Sequence, residues 1–183
     1  MELSNKSIFI SIILWFIIFV YWVIRSRKQG ILNEIFGLSK LLFSGLLLYV
    51  PVFFSVDIMS YKPLPLIHIV GLLIIVMGFV VCIAGREYLS SNWSGKVIIQ
   101  ENHELVKNGP YKIIRHPIYS GVLCMMLGSS VILGSVFCFI WAIFCFFGLY
   151  RKSKQEEILL EEEFGEAYKL YRKETKMLIP YVL

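Results

Sequence analysis

The sequence predicts an all-α integral membrane protein: five transmembrane helices, a tight hairpin joining spans four and five, and a C-terminal amphipathic helix. Three observations carry this reading. Hydrophobic residues make up 57% of the 183 and charged residues only 17%, where a soluble domain is nearer a quarter charged. Mean hydropathy is +0.72, so there is too little polar surface to cover a core and the chain needs lipid. Charge-free runs of spanning length recur along it. Together these exclude a free cytosolic enzyme, a disordered regulator and a disulfide-stapled secreted domain. The excess of 18 Lys and Arg over 13 Asp and Glu reads as cytoplasmic flanks of spans, not as a nucleic-acid surface.

The first run is Ser7 to Ile24. Arg25, Arg27 and Lys28 follow it as a stop-transfer flank, where a signal peptide would show a small-residue cleavage site. The second is Leu41 to Val56, bracketed by Lys40 and Asp57, with Pro51 predicting a kink. The third is Pro63 to Gly85, with His68 near its start as an interfacial histidine. Pro117 to Tyr150 then gives 34 residues without a charge. As one helix it would reach roughly 50 Å, well past a ~30 Å hydrocarbon core, so it must fold back. Gly128, Ser129, Ser130, Gly134 and Ser135 form its weakest helical stretch. A hairpin near Gly134-Ser135 leaves arms of about 17 and 15 residues. In this five-span arrangement 16 of the 18 basic residues share one side, and only Lys6 and Lys62 fall on the other. Four spans would split them, so the N-terminus is expected outside and the C-terminus in the cytosol. Cys82, Cys124, Cys138 and Cys145 lie within spans with no CxxC, and read as apolar fillers; Cys138 and Cys145 share a helix face. No metal site is expected.

The spans are almost bare of polar groups, which argues against a pore. Chemistry-bearing residues gather in two cytosolic segments. In the first, from Arg86 to Tyr119, Asn108-Gly109-Pro110 is a turn signal. Arg115-His116-Pro117 stands where a helix should start, with Pro117 at its first position. The free N–H groups of such a turn can hold a carboxylate; an interfacial cap with Tyr119 as a belt residue explains the same pattern. In the second, from Arg151 to Pro180, Leu160, Phe164, Ala167, Tyr168 and Tyr171 recur at three- to four-residue spacing. That predicts an amphipathic helix with a break at Gly165. Glu161, Glu162 and Glu163 read as its solvated face. Glu156 and Glu157, at the end of the last span, can accept from an amine or from ribose hydroxyls.

Gly109-Pro110-Tyr111, Arg115-His116-Pro117-x-Tyr119-x-Gly121 and Gly128 precede the hairpin. Glu156-Glu157-x-x-Leu160, Phe164-Gly165-x-x-Tyr168, Tyr171 and Ile179-Pro180 follow it. In this pattern, over about residues 96 to 181, the chain resembles the isoprenylcysteine carboxyl methyltransferase family and, more distantly, the phospholipid N-methyltransferases. The resemblance implies a membrane enzyme that holds S-adenosyl-L-methionine in a cytosol-facing pocket. The single domain, 1–183, would comprise three N-terminal spans (1–90) and a cofactor-binding methyltransferase half (91–183). By position, Gln100, His103, Glu104, Leu105 and Val106 would line the adenosine and ribose side. Tyr111 and the His116-Pro117-Ile118-Tyr119 turn would hold the methionine part, and Glu156 would complete the site. The family's substrate-pairing arginine falls on Lys152, with Arg151 beside it. Arg115 and Glu157 are the candidate catalytic groups.

The implied acceptor is lipophilic and meets the enzyme among membrane lipids. A prenylcysteine-type carboxylate is preferred; it arrives ionised and needs no base. The alternatives are a phospholipid amine and an alkyl-pyrone or resorcinol hydroxyl, for which His116, Glu157 or Tyr119 would serve as base. Outside methyl transfer stand an NADPH-dependent membrane reductase and a non-enzymatic scaffold. No metal and no nucleic acid is implied.

Overall fold

The computed structural model describes residues 2–28, 45, 64–89 and 105–182. Its helices are α1 (Glu2–Lys28), α2 (Pro65–Leu89), α3 (Pro117–Leu133), α4 (Val136–Phe164) and α5 (Glu166–Glu174), with a 3-10 turn at Gly109–Lys112. Among the described residues the sheet-like pairing is one isolated parallel bridge, Ile114 with Lys176. The all-α expectation holds. α1, α2 and α4 are long and apolar enough to cross a membrane, and α3 is a shorter apolar helix of 17 residues. Rows of exposed Phe, Ile, Leu and Val on α1, α2 and α4 are what a lipid-facing surface requires, and the chain is a multi-pass membrane protein. The expected second span, Leu41 to Val56 with its Pro51 kink, lies outside the described residues.

α1 buries a stripe of Ser7, Ser11, Trp15, Ile18 and Trp22, recurring every three to four residues as one helix face must. Two hydrogen bonds fix its neighbours: Ser7 Oγ with His68 Nδ1, and Trp15 Nε1 donating to Ser129 Oγ, both at 3.0 Å. His68, expected as an interfacial histidine, is 3% exposed and takes Ser7 as its partner, because a buried ring nitrogen needs a hydrogen-bond partner from the protein. At the far ends of the same helices Arg25 pairs with Glu87 at 3.2 Å, and Tyr21 donates to Glu87. α1 and α2 thus run parallel.

α2 and α3 are antiparallel and nearly touch along their backbones. Gly71, Gly78 and Gly85 recur every seven residues, which keeps them on one face. A Cβ at Gly78 would lie 2.5 Å from the Gly121 carbonyl oxygen, and one at Gly128 2.6 Å from that of Gly71. Only hydrogen fits there, so close packing substitutes for the hydrophobic drive that lipid removes. At the end of this seam Gly85 meets Pro117 and Ile118, which sets the start of α3 beside α2.

The hairpin falls where expected. Gly134, left-handed at φ +60°, caps α3, and Ser135 starts α4. α4 differs from expectation in length. The last span and the start of the amphipathic segment are one helix of 29 residues, because no breaker stands between Tyr150 and Gly165. At about 1.5 Å per residue it reaches ~43 Å, so its last third projects beyond a hydrocarbon core and carries Glu156 and Glu157, with Lys152 one turn before them. Gly165, at φ +52°, ends it. α5 then folds back, held by Arg172 to Glu161 at 3.1 Å. The break expected at Gly165 is present; it resets the helical phase, so Tyr168 and Tyr171 face inward whereas Ala167 is exposed.

Candidate active site

Three elements converge where α3 begins. The first is the turn and loop at 109–116. Gly109, at φ +58°, packs against the Tyr88 ring and starts the 3-10 turn, so the Asn108-Gly109-Pro110 signal does form a turn. Tyr111 is buried; its hydroxyl donates to the Gly85 carbonyl at 3.2 Å, and its own carbonyl accepts from the Tyr171 hydroxyl at 2.7 Å. The second element is α3, with Pro117 at its first position and no side-chain cap on its N-terminus. The third is the projecting part of α4.

The C-terminal segment closes the arrangement. Arg115 N–H donates to the Lys176 carbonyl at 2.8 Å, His116 N–H to Met177 at 3.1 Å, and Lys176 N–H to Ile113 at 3.2 Å. Ser120 Oγ donates to the Leu178 carbonyl at 2.5 Å, and Met177 and Leu178 are buried in the core. Thr175, Met177 and Leu178 were missed by sequence reasoning. The available signal was the apolar Met177-Leu178 pair following the charged 172–176 stretch.

Within this frame Tyr119 O–H donates to Glu156 Oε1 at 2.5 Å. His116 Nδ1 lies 3.3 Å from Glu156 Oε2, and His116 Nε2 lies 3.8 Å from Glu157 Oε1. The His116 and Tyr119 rings are stacked, 5.6 Å between centroids and 7° from parallel. The Lys152 ammonium sits 5.4 Å from the centroid of the Tyr119 ring, within cation–π range. Burial disfavours a charge on His116, yet the Glu156 and Glu157 carboxylates facing its two ring nitrogens outweigh it and hold its pKa above the ordinary imidazole value.

The two glutamates differ in access. Glu156 is 20% exposed and Glu157 only 3%. Arg115 Nε donates to Glu157 Oε1 at 2.6 Å. Its Nη1 reaches the Arg172 carbonyl at 3.3 Å, Thr175 Oγ1 at 3.4 Å and the Thr175 carbonyl. The guanidinium thus joins α4, the end of α5 and the loop before α3.

The structure brings together Tyr111, Arg115, His116, Pro117, Ile118, Tyr119, Lys152, Glu156 and Glu157. Leu105 and Val106 are half-buried at the start of the described loop. Arg151 is exposed on another face of α4; Lys152, one turn before Glu156, is the cation over Tyr119. Gln100, His103 and Glu104 lie outside the described residues.

The sequence pattern of the phospholipid methyltransferase family matches residues 66–167. A probable protein-S-isoprenylcysteine O-methyltransferase of Oryza sativa subsp. indica is 29% identical over 121 residues, 62% of this chain and 61% of its own length. The protein-S-isoprenylcysteine O-methyltransferase of Dictyostelium discoideum is 34% identical over 118 residues, 61% of this chain and 48% of its own. The chain therefore matches only about half to three-fifths of the length of these relatives. A solved structure of the eukaryotic intramembrane Ras methyltransferase, an isoprenylcysteine carboxyl methyltransferase, shares the fold. Its TM-score is 0.60 at 21% identity, over 79% of this chain and 52% of that one.

Proposed function

We propose, from the premise that this chain belongs to the phospholipid methyltransferase family, that it is a membrane S-adenosyl-L-methionine-dependent methyltransferase acting on a prenylcysteine-type carboxylate. The observation that carries this is the partly open Glu156 carboxylate, held by Tyr119 and His116 beside an uncapped helix N-terminus, in the segment that matches the family. The residues suit the cofactor. Glu156 can accept from an ammonium, the first turn of α3 can receive a carboxylate, and the Tyr119 ring offers an electron-rich face to a cation. His116 Nε2, buried and without a hydrogen-bond partner, leaves a polar atom for a ligand to meet.

When bound, S-adenosyl-L-methionine supplies a methyl carbon already activated for in-line displacement. What remains for this chain is alignment. Lys152 draws an anionic head group toward Tyr119. Glu156 and α3 orient the two ends of an amino acid. Arg115 and Glu157, occupied with each other and with the C-terminal segment, act as positioning residues that keep His116 and α3 in register. An ionised carboxylate needs no base, so no proton leaves the acceptor.

The test is thermal stabilisation of the purified protein by S-adenosylhomocysteine against NADPH, followed by methyl transfer to a farnesylcysteine analogue and to an alkyl-phenol. Stabilisation by S-adenosylhomocysteine alone and turnover of the farnesylcysteine analogue are expected. Turnover of the phenol alone would move the acceptor to a hydroxyl, and stabilisation by NADPH alone would replace methyl transfer with reduction.

Orientation follows from charge. Arg25, Arg86, Arg115, Arg151 and Lys152 lie at the site end of the described helices, which favours that end in the cytosol. A reporter fused to the C-terminus should read cytosolic; an external reading would put the site on the wrong side for a cytosolic cofactor.

A further inference from the structure

We propose that Ser153, Glu157 and Tyr168 form a buried water-binding site behind the candidate active site, which steadies Glu157 through the carboxylate oxygen that Arg115 does not use. The site is built by α4 and α5 alone and holds whatever cofactor the neighbouring pocket takes.

Three buried polar atoms carry this. Among the described residues none gives a hydrogen-bond partner to Ser153 Oγ, Glu157 Oε2 or the Tyr168 hydroxyl. Ser153 and Tyr168 are 0% exposed and Glu157 3%, so bulk solvent does not reach them. A buried polar group in that position keeps the full cost of leaving water. Ser153 and Glu157 belong to one buried stripe of α4, with Leu149 before them, and a spacing of four makes them neighbours on the helix face. Tyr168 comes from α5. Burial, and next the negative charge of Glu157, push its phenol above the ordinary pKa while Arg115 opposes them, which places the hydroxyl near the Arg115 and Glu157 pair.

The hydroxyl of Ser153 is turned away from its own backbone. Ser120, Ser129 and Ser130, also buried, donate to the carbonyl four residues earlier at 3.1, 2.8 and 2.9 Å. Ser153 makes no such bond, although its helix offers the same acceptor. Glu157 divides its oxygens in a similar way. Oε1 accepts from Arg115 at 2.6 Å and faces His116 Nε2 at 3.8 Å. Oε2 has Lys154 at 3.9 Å, beyond hydrogen-bond reach. An ionised carboxylate has about four acceptor positions, so the second oxygen calls for a donor.

Charge selects the ligand. A cation would meet Arg115 and Lys154, and an anion would meet the Glu157 carboxylate. A neutral molecule that both donates and accepts suits all three atoms, and a buried water makes about three hydrogen bonds. It donates to Glu157 Oε2, accepts from one hydroxyl and bonds the other in either sense. Oε1 then stays turned to Arg115, and Arg115 to the Thr175 and Arg172 carbonyls of the C-terminal end.

The experiment is a double-mutant cycle on the purified full chain in mixed micelles: Ser153→Ala, Tyr168→Phe and both together, read by denaturant titration. Each single change should lower the folding equilibrium constant by roughly 2- to 10-fold, the value of a hydrogen bond made. The combined loss should fall well short of the product of the two, because the second change removes a bond to water already lost. Unchanged or raised stability in both single variants would overturn the proposal, since that is the result of deleting a hydroxyl that bonds nothing. So would losses that simply multiply, since the two hydroxyls would then share no ligand. An experimental structure with ordered solvent gives the direct reading. A water oxygen within about 2.7–3.2 Å of at least two of the three atoms is expected; a direct bond from Tyr168 to Glu157, with no water between them, would overturn the site.

Discussion

Arg115→Met is expected to lower unfolding stability by about 3–5 kcal/mol, the range for removing one partner of a buried ion pair. The side chains of Arg115 and Glu157 are 8% and 3% exposed, so the abandoned carboxylate has little water to turn to. The loss extends beyond the pair, because the same guanidinium holds the Arg172 and Thr175 carbonyls at the end of α5. Without it the C-terminal segment should detach from the 113–116 loop and become open to proteolysis. Denaturant titration in mixed micelles measures the first effect, and limited proteolysis with mass mapping the second. A double change, Arg115→Met with Glu157→Met, should recover part of the loss, since no buried charge is then left alone. A single variant within about 1 kcal/mol of the parent, the value of a typical surface pair, would show that this one is no more than that.

Glu156→Gln is expected to weaken S-adenosylmethionine binding by roughly 1.5–3 kcal/mol, or about 10- to 150-fold, the value of a charge-assisted hydrogen bond. The amide oxygen of glutamine can still accept from Tyr119, so the local fold should persist and the melting temperature of the empty protein should move little. The control is Glu161→Gln. Glu161 pairs with Arg172 on the surface, where both side chains are over one-third exposed, so that change should cost about 0–1 kcal/mol of stability and leave binding intact. Similar binding losses from the two variants would mean that a carboxylate at 156 has no special relation to the ligand. Fluorescence competition titration of the purified variants separates these outcomes.

The residues explain why much of this was legible in advance. Charge-free runs of spanning length have few other stable solutions, because lipid leaves no partner for an unpaired backbone group. The 34-residue run had to turn, and Gly134-Ser135 was the place with the least helical preference. Pro117 and Asn108-Gly109-Pro110 act through their own φ preferences, so their local structures needed no tertiary information. From the residues alone the Glu156 and Glu157 pair was legible as candidate acceptors; only the family resemblance divided them, Glu156 to the cofactor and Glu157 to the catalytic groups. Adjacent residues on a helix point about 100° apart, and sequence alone does not say which faces inward.

His68 and Ala167 show the opposite case. Each was assigned from its place in a pattern: His68 took a partner far along the chain, Ser7, whereas Ala167 was moved off the buried face by the turn at Gly165, two residues before it. The glycines of α2 carried a visible seven-residue spacing, but their meaning depended on Gly121 and Gly128 arriving opposite them.

The sequence by itself determined that this protein is helical, lives in a membrane, reverses at Gly134, and gathers its polar chemistry at one end. All of these follow from composition, run length and local backbone preference. Tertiary structure alone decided that Lys152 rather than Arg151 overlooks Tyr119, that Glu156 is open while Glu157 is locked to Arg115, and that residues 175–178 complete the wall around His116. The physical reason is one of range. Hydrophobic pattern and turn chemistry act over a few residues, whereas the pairing of Arg115 with Glu157, 42 positions apart, and with Thr175, 60 apart, exists only once the helices have packed and excluded water from the charges between them.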